Sequence, residues 1–182
     1  LVVCVSVGVV FAADGPTSDN FALNLELAAG TTDTVLVVGS WDVAAFTPSV
    51  IQGFSYSLCH ETGKASIGDC AGAQYGTGDH DALCAGTACA SIICPPDVVD
   101  LEVGGSAKKY GFHSLNIFED GITEAVIFDL FQSWGLESTE RFEMLQVQYT
   151  DLVGQSTVNV CDTLGNPTVE ADVILNNGIM GS

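Results

Sequence analysis

Seven cysteines and three histidines carry most of the chemistry that this 182-residue chain could perform. Five of the cysteines fall between Cys59 and Cys94, a density that fits a disulfide set kept oxidised outside a reducing cytosol. Zinc is the competing use of clustered cysteine, but the gaps from Cys70 to Cys84, Cys89 and Cys94 contain no C-x2-C pair. In the same stretch Gly78-Asp79-His80-Asp81 sets two carboxylates around an imidazole. Asp79, His80 and Asp81 are therefore the candidate metal ligands, for Ca2+ through the aspartates or a transition metal through His80. Neither an EF-hand spacing nor a second histidine lies nearby, and a solvated turn accounts for the same residues. His60-Glu61 is isolated in the same way, and His113 falls inside a strand pattern as a packed or edge residue.

Catalysis gathers little support. No G-x-S-x-G elbow, H-E-x-x-H, P-loop or G-x-G-x-x-G occurs, and oxidised cysteines are not nucleophiles. A carboxylate pair for glycoside hydrolysis is left open, because its separation is set by the fold. The expectation is a protein that is not an enzyme. Four basic residues against 23 acidic ones give a net charge of −19, so binding nucleic acid would bring two polyanions together. That class is set aside. No apolar stretch reaches the roughly 20 residues a spanning helix needs, which argues against an integral membrane protein. The length suits one domain, and a chain that is 47% hydrophobic with 20 glycines is too apolar for a disordered acidic tail.

The elements that would position these residues are strands. In Phe21 to Leu27 the large residues take the odd positions and the polar ones the even, the period of a half-buried strand. Similar blocks are Val35 to Val38, Gly53 to Leu58, Val98 to Val103, Phe112 to Phe118, Thr123 to Leu130, Phe142 to Tyr149, Thr157 to Cys161 and Thr168 to Leu175. Turns fall at Gly30, Gly63, Asp120-Gly121 and Gly165-Asn166-Pro167. The stretch Leu136 to Arg141 reads as a loop or a single turn, and no long helix is expected. About nine strands so spaced predict an all-β protein, a jelly-roll or immunoglobulin-like two-sheet sandwich over residues 21–182. Residues 69–96, DCAGAQYGTGDHDALCAGTACASIICPP, have no usable periodicity. They read as a long surface insertion stapled by disulfides, of the kind that often carries function.

Two stretches are familiar in kind. Val50-Ile51-Gln52-Gly53-Phe54-Ser55-Tyr56-Ser57-Leu58-Cys59-His60 resembles a V-Q-G-[FW]-S-[FY]-x-[LV]-C-H strand, and Cys161-Asp162-Thr163-Leu164-Gly165-Asn166-Pro167 resembles a C-D-x-L-G-N-P turn. Both are similar to repeated domains of large secreted bacterial surface proteins whose fold looks like a cohesin-type β-sandwich. The resemblance covers roughly residues 17–180 and implies that Cys59 pairs with Cys161. It says little about activity, and no residue here carries the dockerin specificity of cohesins. The cysteine-rich insertion and the N-terminus depart from the pattern. With Cys59 and Cys161 paired, the other four cysteines from Cys70 to Cys94 allow three pairings. The favoured one sets Cys84 with Cys89 inside Cys70 with Cys94, and Cys4 is then the odd thiol. A lipobox reading of Leu1-Val2-Val3-Cys4 is weak, since the apolar run follows the cysteine.

The N-terminal LVVCVSVGVVFAA resembles the tail of a secretory signal, yet it keeps a two-residue period. Leu1, Val3, Val5, Val7, Val9 and Phe11 place large residues on one face and small ones on the other, with a β-branched content that favours a strand. Extended, the thirteen residues reach about 43 Å, enough to cross a sandwich. Residues 14–20 then read as a linker, so residues 1–13 could complete a neighbour's sheet as a donor strand. Burying four of these large residues would contribute on the order of 6 to 12 kcal/mol before ordering costs. The leading expectation is a secreted structural subunit, joined head to tail with copies of itself into a surface fibre. The alternative is a monomeric adhesion or binding module for a glycan or protein, with residues 1–13 folded back into its own sheet. A signal remnant is the third reading. The acidic surface would keep subunits apart and could recruit Ca2+ between them.

Overall fold

A computed structural model of the chain describes residues 2–5, 21–41, 50–70, 74–75, 89, 91–93, 102–103, 106–107, 112–128 and 142–176. The strands in order are β1 (Val2–Val5), β2 (Phe21–Leu27), β3 (Thr34–Trp41), β4 (Val50–His60), β5 (Gln74–Tyr75), β6 (Ile92–Ile93), β7 (Glu102–Val103), β8 (Ser106–Ala107), β9 (Phe112–Phe118), β10 (Gly121–Ile127), β11 (Phe142–Gln148), β12 (Gln155–Cys161) and β13 (Asp172–Asn176). Among the described residues the one helical element is a 3-10 turn at Gly68–Cys70. Nine strands are four residues or longer.

They form two main sheets. The first runs β1-β12-β4-β10-β9-β5, with β13 also paired to β4, and the second runs β2-β3-β11-β6. Pairing is antiparallel except for β1 on β12, which is parallel. One core joins them: Leu23, Leu25, Val35, Val37, Leu145 and Val147 from the second sheet meet Phe54, Tyr56, Leu58, Leu115, Ile117 and Ile122 from the first. The chain is thus an all-β, two-sheet sandwich. Alternation does this locally, since β9 buries His113, Leu115 and Ile117 while its other residues are half-buried.

The strand β4 is the spine of the first sheet. Its even residues Phe54, Tyr56, Leu58 and His60 are buried in the sandwich. One side of it pairs with β10 from Gly53 to Cys59. The other side is shared end to end: β12 takes Ser57 to His60 and β13 takes Val50 to Ser55, with a register shift between Ile174 and Leu175.

Two expectations are corrected. The Cys70–Cys94 and Cys84–Cys89 pairings give way to a Cys70–Cys89 disulfide, beside the Cys59–Cys161 disulfide that the resemblance implies. Cys84 and Cys94 themselves lie outside the described residues. Nor do residues 69–96 merely decorate the surface. They add β5 to the edge of the first sheet and β6 to the edge of the second, and Cys70, Cys89 and Ile92 are 6%, 3% and 0% exposed within the common core. Burial of an apolar side chain and of a disulfide explains the placement, because each removes apolar surface from water at a sheet margin.

Strand limits shift as well. β10 begins at Gly121, inside the expected turn, and β13 begins at Asp172, four residues after the expected start. The Leu136 to Arg141 stretch and most of the expected Val98 to Val103 strand lie outside the described residues.

Candidate functional site

The two familiar stretches interlock on the outer face of the first sheet. Ser55, Ser57 and Cys59 are the outward residues of β4, and the loop between β12 and β13 folds back over them. Cys161 is bonded to Cys59, and the Cys59 sulfur lies 3.5 Å from the Thr163 hydroxyl. Ser57 Oγ donates to the Val169 carbonyl at 2.6 Å and Ser55 Oγ to the Glu170 carbonyl at 2.9 Å. The Val169 amide closes the loop on the Leu164 carbonyl at 2.9 Å. These bonds occupy Val169 and Glu170, so the strand expected from Thr168 starts only at Asp172. At the tip Gly165 takes φ +91°, a backbone state that favours glycine, and the Asn166-Pro167 peptide that follows is cis.

Leu164, 5% exposed, fills the slot that this loop covers. A Cβ on Gly121 would collide with the Leu58 carbonyl oxygen and with Leu164 Cδ1. Only a residue without a side chain fits beneath the leucine. The loop therefore reads as a cover clamped to its sheet by one disulfide, two serine hydroxyls and one buried leucine.

Inside the sandwich lies a polar cluster that the sequence reading did not assemble. Tyr56 and Glu124 are register partners across β4 and β10, and His113 is two residues from Leu115, the partner of Glu124 on β9. Diagonal neighbours at that offset are within reach of long side chains. The Tyr56 hydroxyl donates to Glu124 Oε2, and His113 Nε2 lies 2.9 Å from Glu124 Oε1. All three residues are at most 2% exposed. A carboxylate, an imidazole and a phenol thus meet inside the sandwich, packed where substrate has no access to them. Their chemistry here is mutual satisfaction of buried polar groups. The alternation of β9 and β10 could have exposed the cluster, since His113 and Glu124 both occupy inward positions of their strands.

A second buried pair sits where β4 ends. His60 packs edge-on to Tyr149, with ring centroids 5.4 Å apart. Its Nε2 lies 3.0 Å from the Glu119 carbonyl, and its amide donates to the Asp120 carbonyl at 2.9 Å, which ties the β9–β10 turn to β4. Burial lowers the affinity of His60 for a proton, against the opposing pull of the Glu119 carbonyl and the Asp120 charge. Burial also raises the Tyr149 phenol well above its ordinary value. At the surface, hydrogen bonds from Gln148 and then Thr34 lower the Asp33 carboxyl. Among the described residues no cluster of three or more His, Cys, Asp or Glu is placed to hold a metal ion, and Asp79, His80 and Asp81 lie outside them.

The remaining candidate is the seam of β1. Val2, Val3, Cys4 and Val5 align in parallel with Gln155, Ser156, Thr157 and Val158 at the margin of the first sheet, and β1 also approaches β2 of the second. Of the expected contact residues, Val3 and Val5 lie in this strand, whereas Leu1, Val7, Val9 and Phe11 are outside the described residues. No helix among the described residues is long and apolar enough to cross a membrane. Comparison with protein-family models, with curated proteins and with solved structures gives no match to this chain.

Proposed function

We propose that this chain is an extracellular β-sandwich module of a surface protein, working by association rather than by catalysis. The observation that carries the reading is the seam of β1, where an N-terminal strand completes the margin of the first sheet. Sheet margins are the places where a β protein meets other chains, because their main-chain donors and acceptors are open to pairing. The two disulfides among the described residues fit an oxidising compartment, and the net charge of −19 fits a surface that must stay dispersed. The resemblance to cohesin-like repeats of secreted surface proteins points the same way.

In the free chain the strand belongs to its own sheet, so the first form of the proposal is a module that presents its outer surface to a glycan or protein. A second form is favoured by the edge position of Val2–Val5: donated to a neighbour, the same strand would join subunits into a fibre. Light scattering and negative-stain images of the native protein test both, alongside a variant lacking residues 1–13. Filaments that vanish with the deletion support the fibre. A folded monomer that binds an extracellular partner supports the module, and a purified chain that turns over a substrate overturns the proposal.

A further inference from the structure

The four-residue pairing of β1 leaves one question that geometry can answer: which edge would accept the strand of a second copy? We infer that the receiving edge is the Gln155–Val158 stretch of β12, and that Val2–Val5 of one copy pairs there, in parallel, in place of the second copy's own β1. This rests on the strand-exchange form of the proposed function and names its partner surface.

Four observations converge. First, among the described residues β1 is the terminal strand of the first sheet, so it can leave without opening any other strand pair described. Second, its register on β12 is fixed at four positions, Val2 with Gln155, Val3 with Ser156, Cys4 with Thr157 and Val5 with Val158. Third, the next strand in sequence, β2, belongs to the other sheet, and residues 6–20 lie between them. Fifteen residues can span about 50 Å when extended, longer than a strand of the sandwich and sufficient for Val2–Val5 to reach an adjoining subunit. Fourth, the exchanged pairing repeats the internal one bond for bond. The two forms then differ chiefly in the entropy of association and in the state of the connector, the condition under which exchange of an identical element is favoured by high local concentration. Among the described residues β13 pairs with β4 alone, and its other edge is a poorer receiver, because the Asp172 carboxylate accepts the Val173 amide at 2.7 Å and sets a charge on that margin.

The register supplies the test. Cys4 stands opposite Thr157, so Thr157→Cys places a thiol across the seam at a separation that parallel strands allow for a disulfide. One chain carries Thr157→Cys together with Cys4→Ser, and a second, differently tagged chain is otherwise native. After joint incubation at high concentration and mild oxidation, exchange predicts a reducible species containing both tags. That species disappears when the second chain carries Cys4→Ser. A mixed species that survives this control, or its complete absence, overturns the assignment.

Should Thr157→Cys prevent folding, the pair Val2→Cys and Gln155→Cys, each in a Cys4→Ser background, repeats the measurement two register positions away. A third chain with Cys4 and Thr157→Cys together locks β1 onto its own sheet when oxidised. Locking should abolish assembly, and reduction should restore it. Filaments that persist in the locked chain defeat the receiving edge named here while leaving association intact. If native protein neither assembles nor binds a partner, it is the broader function that fails.

Discussion

His60 stands beside Glu61 as an isolated histidine in the sequence, and the fold gives it a structural role that isolation does not reveal: it is buried against Tyr149 and fastens the β9–β10 turn through Glu119 and Asp120. Its folded proton affinity is lowered by burial from an ordinary value of 6.5. The unfolded chain therefore takes up the proton first as pH falls. The contribution of the neutral imidazole is fully present above the unfolded value and is lost as pH falls through the folded one. Urea unfolding at about pH 7.5 and about pH 5.5 should show a larger loss of stability for the native chain than for His60→Gln. Equal losses would mean that His60 is not buried as a neutral base. His113 was expected as a packed or edge residue, and it is packed; what the residue alone did not reveal was its partnership with Glu124 and Tyr56.

At the scale of elements, local period and through-space pairing divide the work. The β2 and β9 spans match their expected limits residue for residue, because alternation over seven residues is a local property. Thr168 to Asp172 departs because the carbonyls of Val169 and Glu170 are claimed by Ser57 and Ser55 of β4, more than a hundred residues earlier. The same loop makes the tightest packing prediction. Gly121→Ala would drive a methyl group against the Leu58 carbonyl and Leu164, and should destabilise the fold by about 3 kcal/mol, the upper end for overpacking. Denaturant unfolding measures it, and a second substitution, Leu164→Ala, should not restore stability, since the Leu58 backbone still stands in the way. An unchanged midpoint in Gly121→Ala would mean that β10 does not approach the Leu58 carbonyl of β4 this closely.

For the whole molecule, charge and closure act together. At one side of the sandwich β1 lies between β12 and β2, and at the other residues 69–96 set β5 and β6 on the two sheets with the Cys70–Cys89 disulfide joining their connection. Both margins are thus occupied, and the first is the one that the proposed strand exchange would open. Copies carrying −19 charges repel one another, so raising salt, which shortens the screening length from about 30 Å to about 8 Å between low and physiological strength, should increase self-association through that seam. Light scattering against added NaCl checks the trend; a decrease would indicate attraction between unlike surfaces instead. From the sequence by itself came the all-β class, the inward residues of the long strands and the oxidising use of cysteine, all of which follow from composition or from a period of two. Only the tertiary structure decided that Cys70 meets Cys89, that the cysteine-rich stretch contributes to both sheets, and that Val2–Val5 lies along β12. Those are contacts between segments far apart in the chain, selected by the shape of a shared core and by the sheet edges left open, and no local pattern encodes them.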